Sequence, residues 1–221
     1  MGLKMIGIID YNAGNVKSVE MALEFMAIPY IPGKKPEELK NADKLIFPGV
    51  GDAAYAMRQL KVSGFDVFLK DHAQKNTPIM GICLGSQIIF DYSEEGDTDC
   101  LGLVPGKITH FKKIFDNEGI PAEKLKIPHM GWNEVHCKED LIFKNIKEGT
   151  DFYFVHSYVI EPAFWSDVRA FCEYGIKVPA VIRHGSVIAC QFHPEKSGEA
   201  GLRLLKNFCN SDYISVGVSS C

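Results

Sequence analysis

The chain has 221 residues, of which 46% are hydrophobic and 24% charged, the proportions of an ordinary soluble globular protein. A net charge of −4 gives no general attraction to nucleic acids or membranes, and we expect neither as a partner. The apolar runs are too short to span a bilayer. The first residues lead directly into a predicted strand, so we expect no signal peptide and a cytoplasmic location.

Cysteine and histidine spacing argues against a metal site. The seven cysteines are an odd number, form no Cys-x-x-Cys pair and have no histidine at zinc-site spacing. We therefore expect a reducing compartment, no metal and no cofactor. The cysteines are Cys83, Cys100, Cys137, Cys172, Cys190, Cys209 and Cys221.

The first half of the chain alternates predicted strands and helices. Residues 5–9 and 44–47 are typical of strands buried on both faces, and 29–31 predict a shorter strand. Apolar residues recur at helical spacing between 16 and 26, while a helical turn and a helix are predicted at 36–40 and 53–60. This alternation indicates a parallel sheet with helices on both faces.

The second half predicts mainly antiparallel strands and one closing helix. Strands are predicted at 103–111, 127–135, 151–160, 169–174, 180–183 and 186–192. His184 and Gly185 predict a two-residue hairpin turn, and Ser197 a cap for a helix over 199–210. We expect one domain over 1–221, with a loose tail at 211–221. The predicted class is α/β, with an open mixed, mainly parallel sheet, flanking helices and added antiparallel strands.

The segment 77–91 carries the strongest functional signal. It predicts a short strand, a tight turn and an amphipathic helix, with Gly81 and Gly85 each two residues from Cys83. This spacing is typical of a nucleophile elbow, in which a strained strand-to-helix turn exposes one side chain. The alternative is a buried structural cysteine. Residues 48–51, Pro-Gly-Val-Gly, follow another strand and should lie at the same sheet edge.

A cysteine nucleophile needs a base, and residues 191–195 supply a candidate. His193 and Glu195 flank Pro194, which fixes the backbone between them. If the extended geometry persists, the two side chains face the same way, so that Glu195 orients the imidazole. No other histidine has a carboxylate so placed.

Four separated motifs resemble one known family in the same order. Gly-Ile-Cys83-Leu-Gly and His193-Pro-Glu195 are similar to class I (triad) glutamine amidotransferases. The stretches at 48–51 and 128–133, Pro-His-Met-Gly-Trp-Asn, resemble more narrowly the glutaminase subunits of imidazole glycerol phosphate synthase. The resemblance extends over residues 5–210.

The resemblance implies glutamine hydrolysis by a Cys83, His193 and Glu195 triad through a glutamyl thioester. The oxyanion would be stabilised by backbone N–H groups of Leu84 and of the Gly49-Val50-Gly51 segment, with Val50 the favoured donor. Substrate contacts are implied for Gln87, Glu95, His156, Ser157 and Tyr158. Gln87 has the alternative of a helix-surface amide, and Glu95 that of a solvated acidic turn.

The resemblance also implies a partner, a (β/α)8-barrel cyclase subunit that receives the ammonia within a heterodimer. The cyclase makes imidazole glycerol phosphate and the aminoimidazole carboxamide ribotide of histidine biosynthesis. The partner-facing residues would be Pro128, His129, Met130, Gly131, Trp132, Asn133 and Lys196.

Three other interpretations remain open from the sequence. In the first, the same glutaminase chemistry serves another acceptor, as in amidine formation on a bacterial surface sugar. A cysteine hydrolase or peptidase on a related fold is a second alternative, against which the 48–51 and 128–133 stretches count. The third is an inactive interaction module, which the intact triad residues argue against.

Overall fold

The structure, a computed structural model, describes residues 4–121 and 125–211. The predicted tail therefore lies outside the described residues, apart from Ser211. The strands are β1 (Ile6–Ile9), β2 (Tyr30–Gly33), β3 (Lys44–Gly49), β4 (Ile79–Cys83), β5 (Tyr92–Ser93), β6 (Thr98–Asp99), β7 (Gly106–His110), β8 (His129–Cys137), β9 (Thr150–His156), β10 (Tyr158–Pro162), β11 (Val168–Tyr174), β12 (Ile176–His184) and β13 (Val187–Cys190).

Helices connect the parallel strands and close the described chain. They are α1 (Val16–Phe25), α2 (Pro36–Leu39), α3 (Ala53–Ser63), α4 (Phe65–Gln74), α5 (Leu84–Gln87), α6 (Phe111–Glu118) and α7 (Gly198–Asn210). None of the helices within the described ranges is long and apolar enough to cross a membrane.

A nine-stranded mixed sheet forms the framework, in the order β2-β1-β3-β4-β13-β12-β11-β8-β9. Neighbours from β2 to β13 run parallel, whereas the pairs from β13 to β9 are antiparallel. The predicted fold class, an α/β fold whose mixed sheet has a parallel part extended by antiparallel strands, is confirmed.

Both faces of the central parallel strands β1, β3, β4 and β13 are buried, which explains their mainly apolar sequences. In β1, Ile6 and Ile8 belong to one hydrophobic cluster, while Ile9 packs into the cluster on the opposite face. In β4, Met80 belongs to the first of these clusters and Ile79 to the second. The strands are therefore held rigidly from both sides, and their carboxyl ends form a fixed edge for a site.

A second, four-stranded sheet has the order β10-β7-β5-β6. The predicted single strand at 151–160 is wrong, because the chain leaves the large sheet after β9 and joins this second sheet at β10. Ser157 stands at the break, where its carbonyl accepts from the N–H of Phe111 at 3.0 Å. The break brings His156, Ser157 and Tyr158 between the two sheets.

Three local predictions need correction. The helix after Cys83 is not amphipathic: α5 has four residues, all buried. The hairpin turn lies one residue later than predicted, at Gly185 and Ser186, because His184 pairs with Val187. Helix α6 was not predicted: the strand predicted at 103–111 includes its first residue, Phe111, and no element was predicted for the rest.

Candidate active site

Cys83 occupies a strained turn at the edge of the parallel sheet. It ends β4 and precedes α5, with φ 53° and ψ −114°, in a region that side-chain-bearing residues rarely adopt. Such strain costs of order 1–3 kcal/mol and persists only where surrounding structure enforces it. The Cys83 thiol is half-buried, 3.8 Å from the carbonyl oxygen of Val155.

Glycines allow the turn to form because three backbone segments meet there without side chains between them. A Cβ on Gly85 would lie 2.0 Å from the Phe47 carbonyl oxygen, and one on Gly49 would lie 2.3 Å from the Gly85 nitrogen. A Cβ on Gly81 would lie 2.7 Å from the Gly85 carbonyl oxygen. The Gly81–Gly85 pair is thus a packing requirement of the elbow, as the sequence predicted.

His193 and Glu195 form a buried pair beside the elbow. The His193 Nδ1 lies 2.8 Å from Glu195 Oε1, and the two side chains are 4% and 2% exposed. The contact depends on a tight 3-10 turn over Pro194–Lys196, in which the Lys196 N–H donates to the His193 carbonyl. The predicted extended geometry is therefore wrong, although the two side chains do meet.

The electrostatics of His193 favour the imidazolium form. Burial alone would lower the pKa of His193, but hydrogen bonds to Cys83 and Glu195 and the negative charges of both outweigh burial and raise the pKa to about 9. Because Nδ1 faces Glu195, Nε2 remains for Cys83. This arrangement suits a thiolate–imidazolium pair.

The predicted oxyanion donors differ in their present hydrogen bonding. Leu84 is the first residue of α5, where helix geometry leaves the N–H without an intrahelical partner. The N–H of Val50, in contrast, donates to the Ala13 carbonyl at 2.8 Å. Gly51, with φ 93°, adopts a conformation that favours glycine. In this conformation the Val50 N–H is committed to Ala13.

A cleft of about 390 Å³ opens above Cys83. Residues from the predicted catalytic, oxyanion, substrate and partner-facing groups line it, together with Val155. They are Val50, Gly51, Cys83, Leu84, Gln87, Glu95, Pro128, Val155, His156, Ser157, Tyr158, His193 and Lys196. Glu195 lies behind His193 and does not line the cleft. The structure thus brings the predicted nucleophile, base and substrate residues to one opening at the carboxyl ends of the strands.

Two of the predicted substrate residues have structural partners. The Gln87 Nε2 donates to the Tyr158 carbonyl at 3.1 Å and to Gln191 Oε1 at 2.9 Å, so Gln87 is not a surface amide. Glu95 Oε2 accepts from the N–H of Ala53 at the start of α3, at 2.9 Å. Burial raises the pKa of Glu95, against the effect of that hydrogen bond.

Comparison with known proteins decides the family. Residues 10–211 match the family model described as glutamine amidotransferase class-I. This chain belongs to the class I glutamine amidotransferases. They are enzymes, which argues against the inactive-module and peptidase interpretations.

Curated relatives of this amidotransferase carry a more specific name. The chain is 45% identical over 206 residues to "Imidazole glycerol phosphate synthase subunit HisH" of Nitratidesulfovibrio vulgaris strain Miyazaki F, covering 92% of this chain and 95% of that protein. It is 43% identical over 206 residues to the protein of the same name from Geobacillus kaustophilus, with the same coverage.

Solved structures share the fold of the amidotransferase. One described as a glutamine amidotransferase superposes with a TM-score of 0.71 at 18% identity, covering 94% of this chain and 97% of that one. PurLQS from Thermotoga maritima gives a TM-score of 0.68 at 18% identity, covering 95% and 99%.

Tyr11 is a neighbour of the amidotransferase site that the sequence did not indicate. Its buried hydroxyl has no hydrogen-bond partner within residues 4–121 and 125–211 and lies 2.9 Å from where a Cβ of Gly49 would be. Burial and the negative charge of Cys83 raise the pKa of Tyr11. Tyr11 and Ala13 come from the loop after β1, whose contact with Val50 has no local sequence signal.

The proposed docking strand β8 alternates between exposed and inward-facing residues. Met130 and Trp132 are 62% and 58% exposed. Pro128, before the strand, and Lys196 are also exposed. His129 is only 3% exposed and contacts His156, so the expectation that it faces a partner is wrong. The period of two along a strand explains the difference.

Proposed function

We propose that this amidotransferase hydrolyses glutamine to glutamate and ammonia through Cys83, His193 and Glu195. The observation that carries the proposal is a strained Cys83 beside a histidine that a buried carboxylate holds at 2.8 Å. This arrangement supplies a nucleophile and a base in one cleft, with an orienting group behind the base.

In the first half-reaction, the Cys83 thiolate attacks the side-chain carboxamide carbon of glutamine. A C–S bond forms, and the carbonyl electrons move to oxygen, which the N–H of Leu84 stabilises. Protonated His193 then gives its proton to the amide nitrogen. The C–N bond breaks, ammonia leaves, and a glutamyl thioester remains on Cys83.

In the second half-reaction, water replaces ammonia. Neutral His193 removes a proton from the water as it attacks the thioester carbon, and the C–S bond breaks to release glutamate. Glu195 keeps the Nδ1 proton of His193 in place, so that Nε2 serves both steps. The thiolate–imidazolium pair is restored at the end of the cycle.

The amino-acid end of glutamine would occupy the outer part of the cleft. We assign it to Gln87, Glu95 and the backbone at His156, Ser157 and Tyr158. The half-buried Glu95 carboxylate offers a counter-charge for the substrate ammonium group.

The second oxyanion donor would be the N–H of Val50 after rotation of the Gly49–Val50 peptide. In the present conformation this N–H is bound to Ala13 at 2.8 Å. One oxyanion donor typically contributes about 3–4 kcal/mol to transition-state stabilisation. We therefore propose that the chain alone is a slow glutaminase, and that freeing Val50 activates it.

We propose further that the ammonia passes to a (β/α)8-barrel cyclase in a heterodimer of histidine biosynthesis, yielding imidazole glycerol phosphate and the aminoimidazole carboxamide ribotide. Similarity to subunits of imidazole glycerol phosphate synthase supports this partner. Pro128 and Lys196 line the cleft, and Met130 and Trp132 are exposed on the neighbouring strand β8. These four residues would meet the cyclase and enclose an ammonia channel. The cysteines of the described residues are unpaired, which suits the cytoplasm.

Replacement of Cys83 tests the chemistry. We expect Cys83→Ala to abolish glutamine-dependent synthesis by the complex, while synthesis from added ammonium and binding of the cyclase persist. Because Cys100 is also half-buried, Cys100→Ala is a matched control and should retain both activities. Glutamine-dependent synthesis by Cys83→Ala would contradict the assignment of the nucleophile.

A further inference from the structure

A chain of hydrogen bonds connects β8 to the cleft through the protein interior. The Asn133 Nδ2 lies 3.2 Å from His129 Nε2, and His129 Nδ1 lies 3.0 Å from His156 Nε2. The His156 Nδ1 in turn lies 2.7 Å from the carbonyl oxygen of Tyr158. His129 and His156 are directly opposite each other on the antiparallel strands β8 and β9. Their side chains therefore project to the same face.

Two backbone carbonyls, those of Tyr158 and Glu173, bond to the two ends of this hydrogen-bond series and determine where each proton lies. A carbonyl oxygen only accepts, so His156 must carry its proton on Nδ1, and its Nε2 must accept from His129 Nδ1–H. At the other end, Asn133 Nδ2 also donates to the Glu173 carbonyl at 3.0 Å. Asn133 therefore presents its amide nitrogen, a donor, to His129 Nε2. Each hydrogen bond between Asn133, His129, His156 and Tyr158 therefore has its donor on the Asn133 side.

Both imidazoles are packed as neutral rings. His129 stacks on Phe154 and Tyr174 at centroid distances of 4.8 and 4.1 Å, and Phe111 lies 5.1 Å from His156. Burial lowers the pKa of His129 to about 4 and that of His156 to about 3. A neutral ring has one donor and one acceptor, which is what each position in this chain uses.

The last member of this hydrogen-bond series, the Tyr158 carbonyl, is bonded to the elements that carry the catalytic residues. The Tyr158 carbonyl accepts from both His156 and Gln87, at 2.7 and 3.1 Å. Gln87 belongs to α5, which begins directly after Cys83, and its amide also donates to Gln191, two residues before His193. One carbonyl thus holds the substrate-binding backbone in register with the elements that carry the nucleophile and the base.

We infer that Asn133 and His129 are positioning residues for glutamine hydrolysis, which act through His156 on the Tyr158 carbonyl and hence on the glutamine-binding backbone. The inference rests on the proposed function, because it concerns the same cleft. Met130 and Trp132 alternate along β8 with this inward-facing pair. When a partner docks on Met130 and Trp132, a shift of β8 would therefore also move Asn133 and His129.

The protonation pattern has a direct test in the unmodified protein. Long-range ¹⁵N–¹H correlation spectra distinguish the Nδ1–H and Nε2–H tautomers of each neutral histidine. We expect His129 and His156 both to be Nδ1–H tautomers and to remain neutral at pH 6. An Nε2–H tautomer, or an imidazolium, at either position would overturn the inference.

Substitutions at His129 test its effect on the cleft. His129→Phe keeps a ring for the stack but removes the donor, whereas His129→Asn keeps an amide close to the position of Nδ1. His136→Phe is the control, because His136 also lies on β8 and packs on a ring, Phe171, but bonds to Glu148 at the surface. The readout is inactivation by a diazoketone analogue of glutamine that alkylates Cys83, measured against its concentration.

We expect the half-saturating concentration of the diazoketone to rise at least tenfold in His129→Phe. In His129→Asn it should return most of the way to the value of the unmodified protein, and in His136→Phe it should be unchanged. Equal saturation in His129→Phe and the unmodified protein would overturn the inference. So would an equal loss in the phenylalanine and asparagine variants, which indicates packing alone. Failure of the unmodified protein to be alkylated at Cys83 would instead overturn the proposed function.

Discussion

The N–H of Val50 donates to the carbonyl of Ala13 at 2.8 Å, which directs it away from the position of an oxyanion donor. The contact joins the loop after β1 to the loop after β3, and neither loop contains a residue of the triad. Gly14, beside Ala13, packs so closely that a Cβ there would lie 2.7 Å from the Pro48 carbonyl oxygen. In the proposed mechanism, the fit of these two loops therefore determines whether the amidotransferase has one oxyanion donor or two.

Removal of the Val50 N–H tests this explanation. Val50→Pro has no N–H to donate, so we expect kcat for glutamine in the active complex to fall 100- to 1000-fold, corresponding to about 3–4 kcal/mol. Val50→Ala keeps the N–H and serves as the control, with kcat within a few-fold of the unmodified enzyme. Similar kcat values for the two variants would show that another group stabilises the oxyanion.

His193 should make the stability of the protein depend on pH. Its pKa is raised from 6.5 to about 9, so the folded state binds the proton more tightly than the unfolded state does. The resulting stabilisation, about 3 kcal/mol, is complete below pH 6.5 and is lost as pH rises through about 9. Urea unfolding between pH 6 and 10 measures this loss.

Glu195→Gln should reduce that pH dependence, because it removes one of the two groups that raise the His193 pKa. Glu148→Gln is the control: it breaks the 3.1 Å pair with His136 at the surface, where solvent screens the charges. An NMR titration of His193 gives the pKa directly. If the pKa is the same in Glu195→Gln as in the unmodified protein, the orienting role of Glu195 is wrong.

The glycine packing of the elbow predicts a large loss of stability for Gly85→Ala. The added Cβ would lie 2.0 Å from the Phe47 carbonyl oxygen, which is a backbone atom and not the end of a flexible side chain. We expect the free energy of unfolding to fall by more than about 3 kcal/mol. Ser86→Ala, the neighbouring comparison, loses one hydrogen bond to the Cys83 carbonyl and should cost about 1 kcal/mol.

Trp132 should contribute to partner binding out of proportion to its size. It is 58% exposed and packs against Tyr153 at a centroid distance of 6.0 Å. Trp132→Ala should weaken cyclase binding by about 2 kcal/mol, roughly thirtyfold in Kd. Trp165, 47% exposed on another surface, is the matched control. Equal binding by Trp132→Ala and the unmodified protein would remove β8 from the interface.

The elbow was predictable because its requirements are local. Gly81, Cys83 and Gly85 lie within five residues, so the two glycines that the close backbone approach requires are visible as a short motif around Cys83. The pairing of His193 with Glu195 was predictable for the same reason, although a tight turn and not an extended strand brings the side chains together.

Features that depend on distant pairing were not predictable. The break at Ser157 has no local signal, since strand-forming residues continue on both sides and only the positions of two sheets separate β9 from β10. The contact of His129 with His156 requires the register of β8 on β9. The hydrogen bond between Val50 and Ala13 joins two loops that are remote in sequence.

The proposed function is tested by release of glutamate from glutamine, by this chain alone and then with the cyclase subunit and the nucleotide substrate of the cyclase. We expect slow release by the chain alone and stimulation of at least 100-fold when the cyclase and its ligand are both present. A rate of glutamate release that is unchanged by the cyclase would contradict the proposed partner. No release under either condition would contradict the proposed glutaminase activity.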